Sequence, residues 1–369
     1  MDRHELNEMF DGLTPDPARE RELLRQLLQD DARRNKPMKN WKRVVVGVAA
    51  AALLVTAAAA AAVPGINQRL LEYLGIAPED TQAAELLAPG AMAVDIVKED
   101  NGATLHVTQV LRDRTSIMVL ADFTAPEGTV LDLDEANPGI SKGFESLTNF
   151  PEFLDEAGET IGDHMVSMYR WKVLDDGDPL DNHLSLMLLL NPMEGEPAVQ
   201  KTDSESAIQE TAFLRVPAVD LKYFDFSQMA DVIVYSGDWS FDVALPQEDI
   251  GYVQQTKQAI SEADKTGITV EEIYVSPMTL QLTVTGETTA DRDLLLLDCS
   301  KISLKDKAGT VVALQEKDGY GMRDGQKQVE TFRLAEITDP AQFVGGSLTL
   351  DLSCGLVTIP LDDLQPVAP

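Results

Sequence analysis

The spacing of apolar residues along the chain changes character four times. Near the N-terminus Leu6, Met9, Phe10 and Leu13 recur at the i, i+3, i+4, i+7 interval of one helical face. Thr14-Pro15-Asp16-Pro17 interrupts that pattern, and Asp16 followed by Pro17 predicts the cap and first position of a second helix. That helix gathers Leu23, Leu24, Leu27 and Leu28 on one side. Residues 44–63 then read VVVGVAAAALLVTAAAAAAV, without a charge, and Pro64-Gly65 ends the run. Helical spacing returns over Ile66–Gly75 and Pro78–Leu87.

Beyond residue 90 the period shortens to two. Ala91–Lys98, Thr104–Leu111, Ser116–Thr124, Val166–Val173, His183–Leu190, Ile208–Val216 and Val232–Tyr235 are predicted strands, separated by Asp, Asn and Gly. Trp239, Phe241, Val243 and Leu245 alternate with small or polar residues, giving one buried and one wet face. A second set begins near residue 247. Gln247–Ala263 has mixed character, Ile268–Val275 pairs naturally with Thr279–Thr285 across Ser276-Pro277-Met278, and Leu294–Leu304, Thr310–Leu314, Gln328–Ala335 and Ser347–Ile359 follow.

Charge sharpens the picture at the apolar run. Twenty helical residues span roughly 30 Å, the thickness of a hydrocarbon core. The run holds ten Ala, six Val and two Leu, so its insertion is favourable by a narrow margin. Arg33, Arg34, Lys36, Lys39, Lys42 and Arg43 precede it and only Arg69 follows closely, which predicts a cytoplasmic N-terminus. Residues 1–43 hold 9 acidic and 10 basic residues, and the remainder holds 53 and 20. Such an acidic remainder repels phosphate backbones and argues against direct nucleic-acid binding. The run also fits two rival patterns, the end of a cleaved leader and a buried soluble helix, but a 43-residue preceding segment is too long for an ordinary leader.

Catalytic signatures are missing from the chain. There is no phosphate-binding loop and no G-x-S-x-G elbow, and Gly319-Tyr320-Gly321 lies between strands rather than before a helix. Asp132-x-Asp134 and Asp176-x-Asp178 start like calcium loops but lack the later ligands and read as solvated turns. His106, His164 and His183 have no fixed-spacing partners, and His4 stands by the terminus. Trp171, Tyr235, Trp239 and Phe241 suit either a ligand cleft or a core, and aromatic residues in strands usually form core. The two cysteines, Cys299 and Cys354, suit either a disulfide outside the membrane or two buried thiols. Two isolated cysteines and four scattered histidines make no zinc pattern. No catalytic, cofactor or metal residue is predicted.

The head, the basic-flanked run, SGDWSFDVALP at 236–246 and GITVEEIYVSPMTLQLTVTGE at 267–287 together resemble one group of proteins. These are the membrane-bound, sigma-factor-linked proteins of Gram-positive bacteria, whose ectodomains are domains of unknown function. The resemblance implies an anti-sigma factor, with a cytoplasmic head that holds an extracytoplasmic-function sigma factor. The head here has no His/Cys zinc motif and is short.

The expected architecture is a mainly β ectodomain of two β-sandwich-like domains, plus a single transmembrane helix and a short helical N-terminal head. Its parts are a head at 1–43, a transmembrane helix at 44–63, a helical linker at 64–90, a first β domain at 91–246 and a second at 247–365. The expected function is that of a non-enzymatic, single-pass membrane regulator with its C-terminal domains outside. Its expected partners are the lipid bilayer and, through the eight apolar head residues from Leu6 to Leu28, a sigma factor. The alternative is a structural or polymer-binding envelope protein that uses its head only as an anchor.

Overall fold

The computed structural model describes residues 66–77, 80–133, 142–145, 149–161, 164–174, 181–194, 212–225, 228–259, 269–285, 299–316, 322–324, 327–352 and 355–367. Two short helices open it, α1 (Gln68–Tyr73) and α2 (Thr81–Leu87). Eleven strands follow: β1 (Ala91–Asp100), β2 (Ala103–Asp113), β3 (Ser116–Thr124), β4 (Lys142–Gly143), β5 (Glu152–Leu154), β6 (His164–Leu174), β7 (His183–Glu194), β8 (Phe213–Val216), β9 (Val219–Asp225), β10 (Ala230–Asp238) and β11 (Phe241–Ala244). A second group runs β12 (Tyr252–Ala259), β13 (Thr269–Val275), β14 (Thr279–Thr285), β15 (Ile302–Lys305), β16 (Val311–Val312), β17 (Leu314–Glu316), β18 (Met322–Asp324), β19 (Lys327–Leu334), β20 (Ser347–Leu352), β21 (Gly355–Pro360) and β22 (Gln365–Pro366).

In the first group β1-β2-β3-β7-β6 form one antiparallel sheet, and β10-β9-β4 and β11-β8-β5 form two smaller ones. The inner face of the large sheet carries Leu105, Val107, Phe123, Trp171, Leu186 and Leu188. These pack with Leu214, Val216, Trp239, Phe241 and Val243 of the smaller sheets into a single core. Phe123 meets Trp239 edge-on at 4.9 Å, and Phe144 meets Trp171 at 5.2 Å. Gly143 has φ +85°, and a Cβ there would press on Trp171, so a glycine suits this strand.

The second group builds a sheet ordered β17-β19-β14-β13-β12-β22, with β18 on β19, and a four-stranded sheet β16-β15-β20-β21. Leu280, Leu282, Val284 and Phe332 of the first meet Leu304, Leu348, Leu350 and Ile359 of the second.

Bulges decide which side chains face which core. In β2 the register shifts between Val107 and Gln109. The extra residue reverses the parity, so Leu105, Val107 and Val110 all reach the first core while Gln109 and Leu111 turn to the other face. In β13 a shift between Val270 and Glu272 likewise lets Val270, Ile273 and Val275 share one core.

The expected fold needs correction. Among the described residues most lie in strands, and no helix is long and apolar enough to cross a membrane. The two α-helices hold six and seven residues, and their apolar side chains face protein. The strands form several sheets without a closed barrel, rather than two plain sandwiches. The segments expected to be a helical head and a transmembrane helix, 1–43 and 44–63, lie outside the described residues. The sequence pattern behind them was a local one, and local apolarity of this Ala-rich kind is close to neutral for insertion.

Candidate functional site

The linker between residues 66 and 90 is bound by local hydrogen bonds before it packs. The Asn67 side chain caps α1 by accepting from the Arg69 backbone N–H at 3.0 Å. Gly75, at φ +75°, turns the chain out of α1, while the Ile76 N–H donates back to the Leu71 carbonyl at 2.9 Å. Asp80 caps α2 by accepting from the Ala83 N–H at 3.0 Å. The buried faces of both helices, Leu70, Leu71, Ala83, Ala84 and Leu87, enter one cluster together with the flanking Ile66, Leu74 and Ile76. It includes Leu111, Met118 and Met187 from the outer face of the first large sheet, with Ile250 and Met278 from the chain that follows it. The linker is therefore wedged into the seam between the two strand groups. Gly90 completes the wedge, because a Cβ there would lie 2.5 Å from the Arg112 carbonyl oxygen.

The seam itself is polar at its centre. Asp113 ends β2 and is buried. One carboxylate oxygen accepts from the Thr115 N–H at 2.8 Å, and the other accepts from the Ser276 hydroxyl at 2.7 Å and the Thr279 hydroxyl at 3.0 Å. Ser276 and Thr279 flank the β13–β14 turn, so one carboxylate stitches the two groups together. Beside it the Tyr274 hydroxyl donates to Asp249 at 2.7 Å, and Arg114 donates to Glu272 at 2.6 Å while lying 4.7 Å over the Tyr274 ring. Burial pushes the Asp249 carboxyl above its ordinary value, although the Tyr274 and Gly251 hydrogen bonds and the Arg114 charge pull the other way. Burial, with the charges of Asp113 and Asp249, raises Tyr274 far above its ordinary value, so it stays a donor.

A second polar centre ties α1 to the first large sheet. Asp122 of β3 accepts from the Arg69 guanidinium at 2.7 Å and from the Ser185 hydroxyl at 2.7 Å, and His183 Nε2 stands 3.4 Å from the same oxygen. Arg69 also donates to the Ser185 hydroxyl. Burial drives the Asp122 carboxyl up, but the hydrogen bonds of His183 and Ser185 and the charges of Arg69 and His183 outweigh it and leave it below its ordinary value. The composition Ser-His-Asp is that of a hydrolase triad, but the geometry is not. Ser185 is fully buried and spends its hydroxyl proton on the carboxylate, so the group holds an element in place.

Nearby, Lys172 Nζ donates to the Tyr73 hydroxyl at 3.2 Å, and Arg333 stacks 5.6 Å from the centre of the same ring. On the other side of the linker a groove of about 480 Å³ opens between α2 and the second strand group. Its lining includes Asp80, Ala83, Leu86, Glu336, Ile337 and Asp339.

The residues singled out in the sequence fare differently. Leu6, Met9, Phe10, Leu13, Leu23, Leu24, Leu27 and Leu28 lie outside the described residues. Cys299 opens a 3-10 turn, Cys299–Lys301, and Cys354 lies outside the described residues. Trp171, Trp239 and Phe241 are core, and Tyr235 packs against them. His106 pairs with Asp95 at 2.8 Å and His183 approaches Asp122. Asp132 is described and Asp134, Asp176 and Asp178 are not. Among the described residues no group of three or more His, Cys, Asp or Glu is arranged to hold a metal. Sequence reasoning missed Arg69, Asp113, Asp122 and Ser185. The available signal was an acid inside an otherwise apolar strand, as in SIMVLADFT.

No family model matches the chain, and no curated protein matches it. A solved structure described as "The crystal structure of the conserved domain protein from Bacillus anthracis" is similar over 75% of this chain and 88% of that one, at 12% identity and a TM-score of 0.41.

Proposed function

We propose that the chain is a regulatory protein of the cell envelope that carries a signal through its linker to a partner of its N-terminal head. The observation that carries this reading is the wedge: α1 and α2, which directly follow the apolar run, bury their apolar faces against both strand groups at once. A change in the seam therefore changes what holds the linker. The cluster of Arg33, Arg34, Lys36, Lys39, Lys42 and Arg43 in the head supports a cytoplasmic side for it. The partner class is an extracytoplasmic-function sigma factor, as the resemblance of the sequence implies. The head would hold it through Leu23, Leu24, Leu27 and Leu28, laid as an amphipathic helix in a groove.

The test uses the full chain in its own cell. Affinity purification of the tagged chain should recover an extracytoplasmic-function sigma factor, and replacing all four leucines by Ala should release it and raise transcription from its promoters. Failure to recover any such sigma factor, together with unchanged transcripts, would overturn the reading in favour of a structural envelope protein.

A further inference from the structure

Arg69 and His183 reach the same Asp122 oxygen from different elements. Arg69 comes from α1 at 2.7 Å, and His183 comes from β7 at 3.4 Å. Asp122 is one residue of β3, and its position between these two groups is fixed by the sheet, because Asp122 faces Ser185 across the β3–β7 ladder. When His183 is neutral, the carboxylate serves a single cation. When it is protonated, two cations share one anion, and each lies within the other's field.

The sign follows from reciprocity. Docking Arg69 places a positive charge beside His183, which disfavours its protonation, and so protonating His183 must disfavour docking by the same factor. Other charges face the group from each element packed there. Asp95 of β1 holds His106 of β2, and His106 is the cross-strand neighbour of Asp122. Asp181 accepts from the His183 backbone N–H at 2.7 Å. On α1, Glu72 is engaged by Gln68 at 2.8 Å, and on β6, Lys172 is engaged by Tyr73. Asp95 is engaged by His106 and Asp181 by the His183 backbone, whereas Arg69 and His183 share the Asp122 oxygen itself. The side chains of Arg69 and His183 are about one-third exposed, at 36% and 29%, so protons reach the site from bulk solvent.

We propose that this three-way contact is an acid-sensitive clasp on the linker: protonation of His183 loosens the hold of Arg69 on Asp122 and releases α1 from the outer face of the first large sheet. The biological use of the clasp rests on the linker being the signal path, but the clasp itself is a property of the fold and is measured separately.

Hydrogen exchange read by mass spectrometry on the full chain tests it, with labelling times scaled for intrinsic rates at about pH 7.5 and about pH 5.5. Protection over residues 66–76 should fall about fivefold at the acidic pH, the low end for a coupling of this kind. Protection over residues 347–352, in the second core, should not change. His183→Gln should remove the pH response and His106→Gln should keep it. Equal wild-type protection at both pH values, or a His183→Gln chain that responds like wild type, would overturn the clasp. A reciprocal measurement does not depend on how that variant folds. In Arg69→Gln the His183 titration midpoint, followed by NMR, should rise, and an unchanged midpoint would also overturn the clasp. Transcript levels under acid then report on the signalling role alone. An intact exchange response without a transcript response leaves the clasp standing and removes its use.

Discussion

At the scale of single residues, Asp113 carries more of the seam than its neighbours. Removing its carboxylate leaves the Ser276 and Thr279 hydroxyls and the Thr115 N–H buried without their acceptor. Asp113→Ala should therefore destabilise the chain by about 3 kcal/mol, read as a shift in urea midpoint. Asp113→Asn keeps one acceptor oxygen but turns an NH2 toward a donor, and should recover only part of the loss. Asp249 and Asp122 give opposite pH signs. The carboxyl of Asp249 is raised by burial, so its contribution is full below the ordinary carboxylate range and is lost as pH rises through its raised value. Asp122 is lowered, so its contribution is present above that range and is lost as pH falls through its lowered value. Asp249→Asn should flatten the urea midpoint between about pH 4 and the raised value, and Asp122→Asn should flatten it at the acidic end.

At the scale of elements, α1 and α2 are too short to hold themselves, since isolated helices below about 12 residues are marginal in water. They persist because Leu70, Leu71 and Leu87 are buried in the seam. Leu87→Ala should cost about 3 kcal/mol, and its effect should show first as faster hydrogen exchange over residues 66–90. Leu356→Ala on β21, where the side chain is 72% exposed, should change stability by less than about 0.5 kcal/mol and serves as the control. Strand positions were legible wherever alternation was clean. Ser116–Thr124 and Thr279–Thr285 form at the expected bounds. Ser347–Ile359, expected as one strand, is a hairpin, with Ser347–Leu352 and Gly355–Pro360 paired antiparallel. Of Leu294–Leu304, residues 294–298 lie outside the described residues, and the rest is the 3-10 turn Cys299–Lys301 followed by β15. The β9 strand was missed although Val219, Leu221 and Tyr223 alternate with Asp220 and Lys222.

At the scale of the whole molecule, charge and the linker bear on the same question. An acidic remainder with a near-neutral head gives a polar, well-solvated surface beyond residue 63. If the linker is the signal path, replacing residues 1–63 by an unrelated sequence should keep the strand groups folded, by unchanged protection in both cores, while abolishing the transcriptional response. A retained response would place the function in the strand groups alone and favour the structural envelope protein.

The sequence by itself determined the strand-rich character, the linker's helical tendency and the charge division, because these depend on composition and on periods of two or 3.6 residues. Only the tertiary structure decided what faces what. Single-residue bulges in β2 and β13 reverse the side-chain parity, and no alternation pattern records them. Asp113 meets Ser276 and Thr279 across more than 160 residues of chain, and Arg69 meets Asp122 across 53. A lone acid in an apolar strand reads as a defect until the fold supplies its partners, since the cost of burying a carboxylate and the bonds that offset it belong to different parts of the sequence.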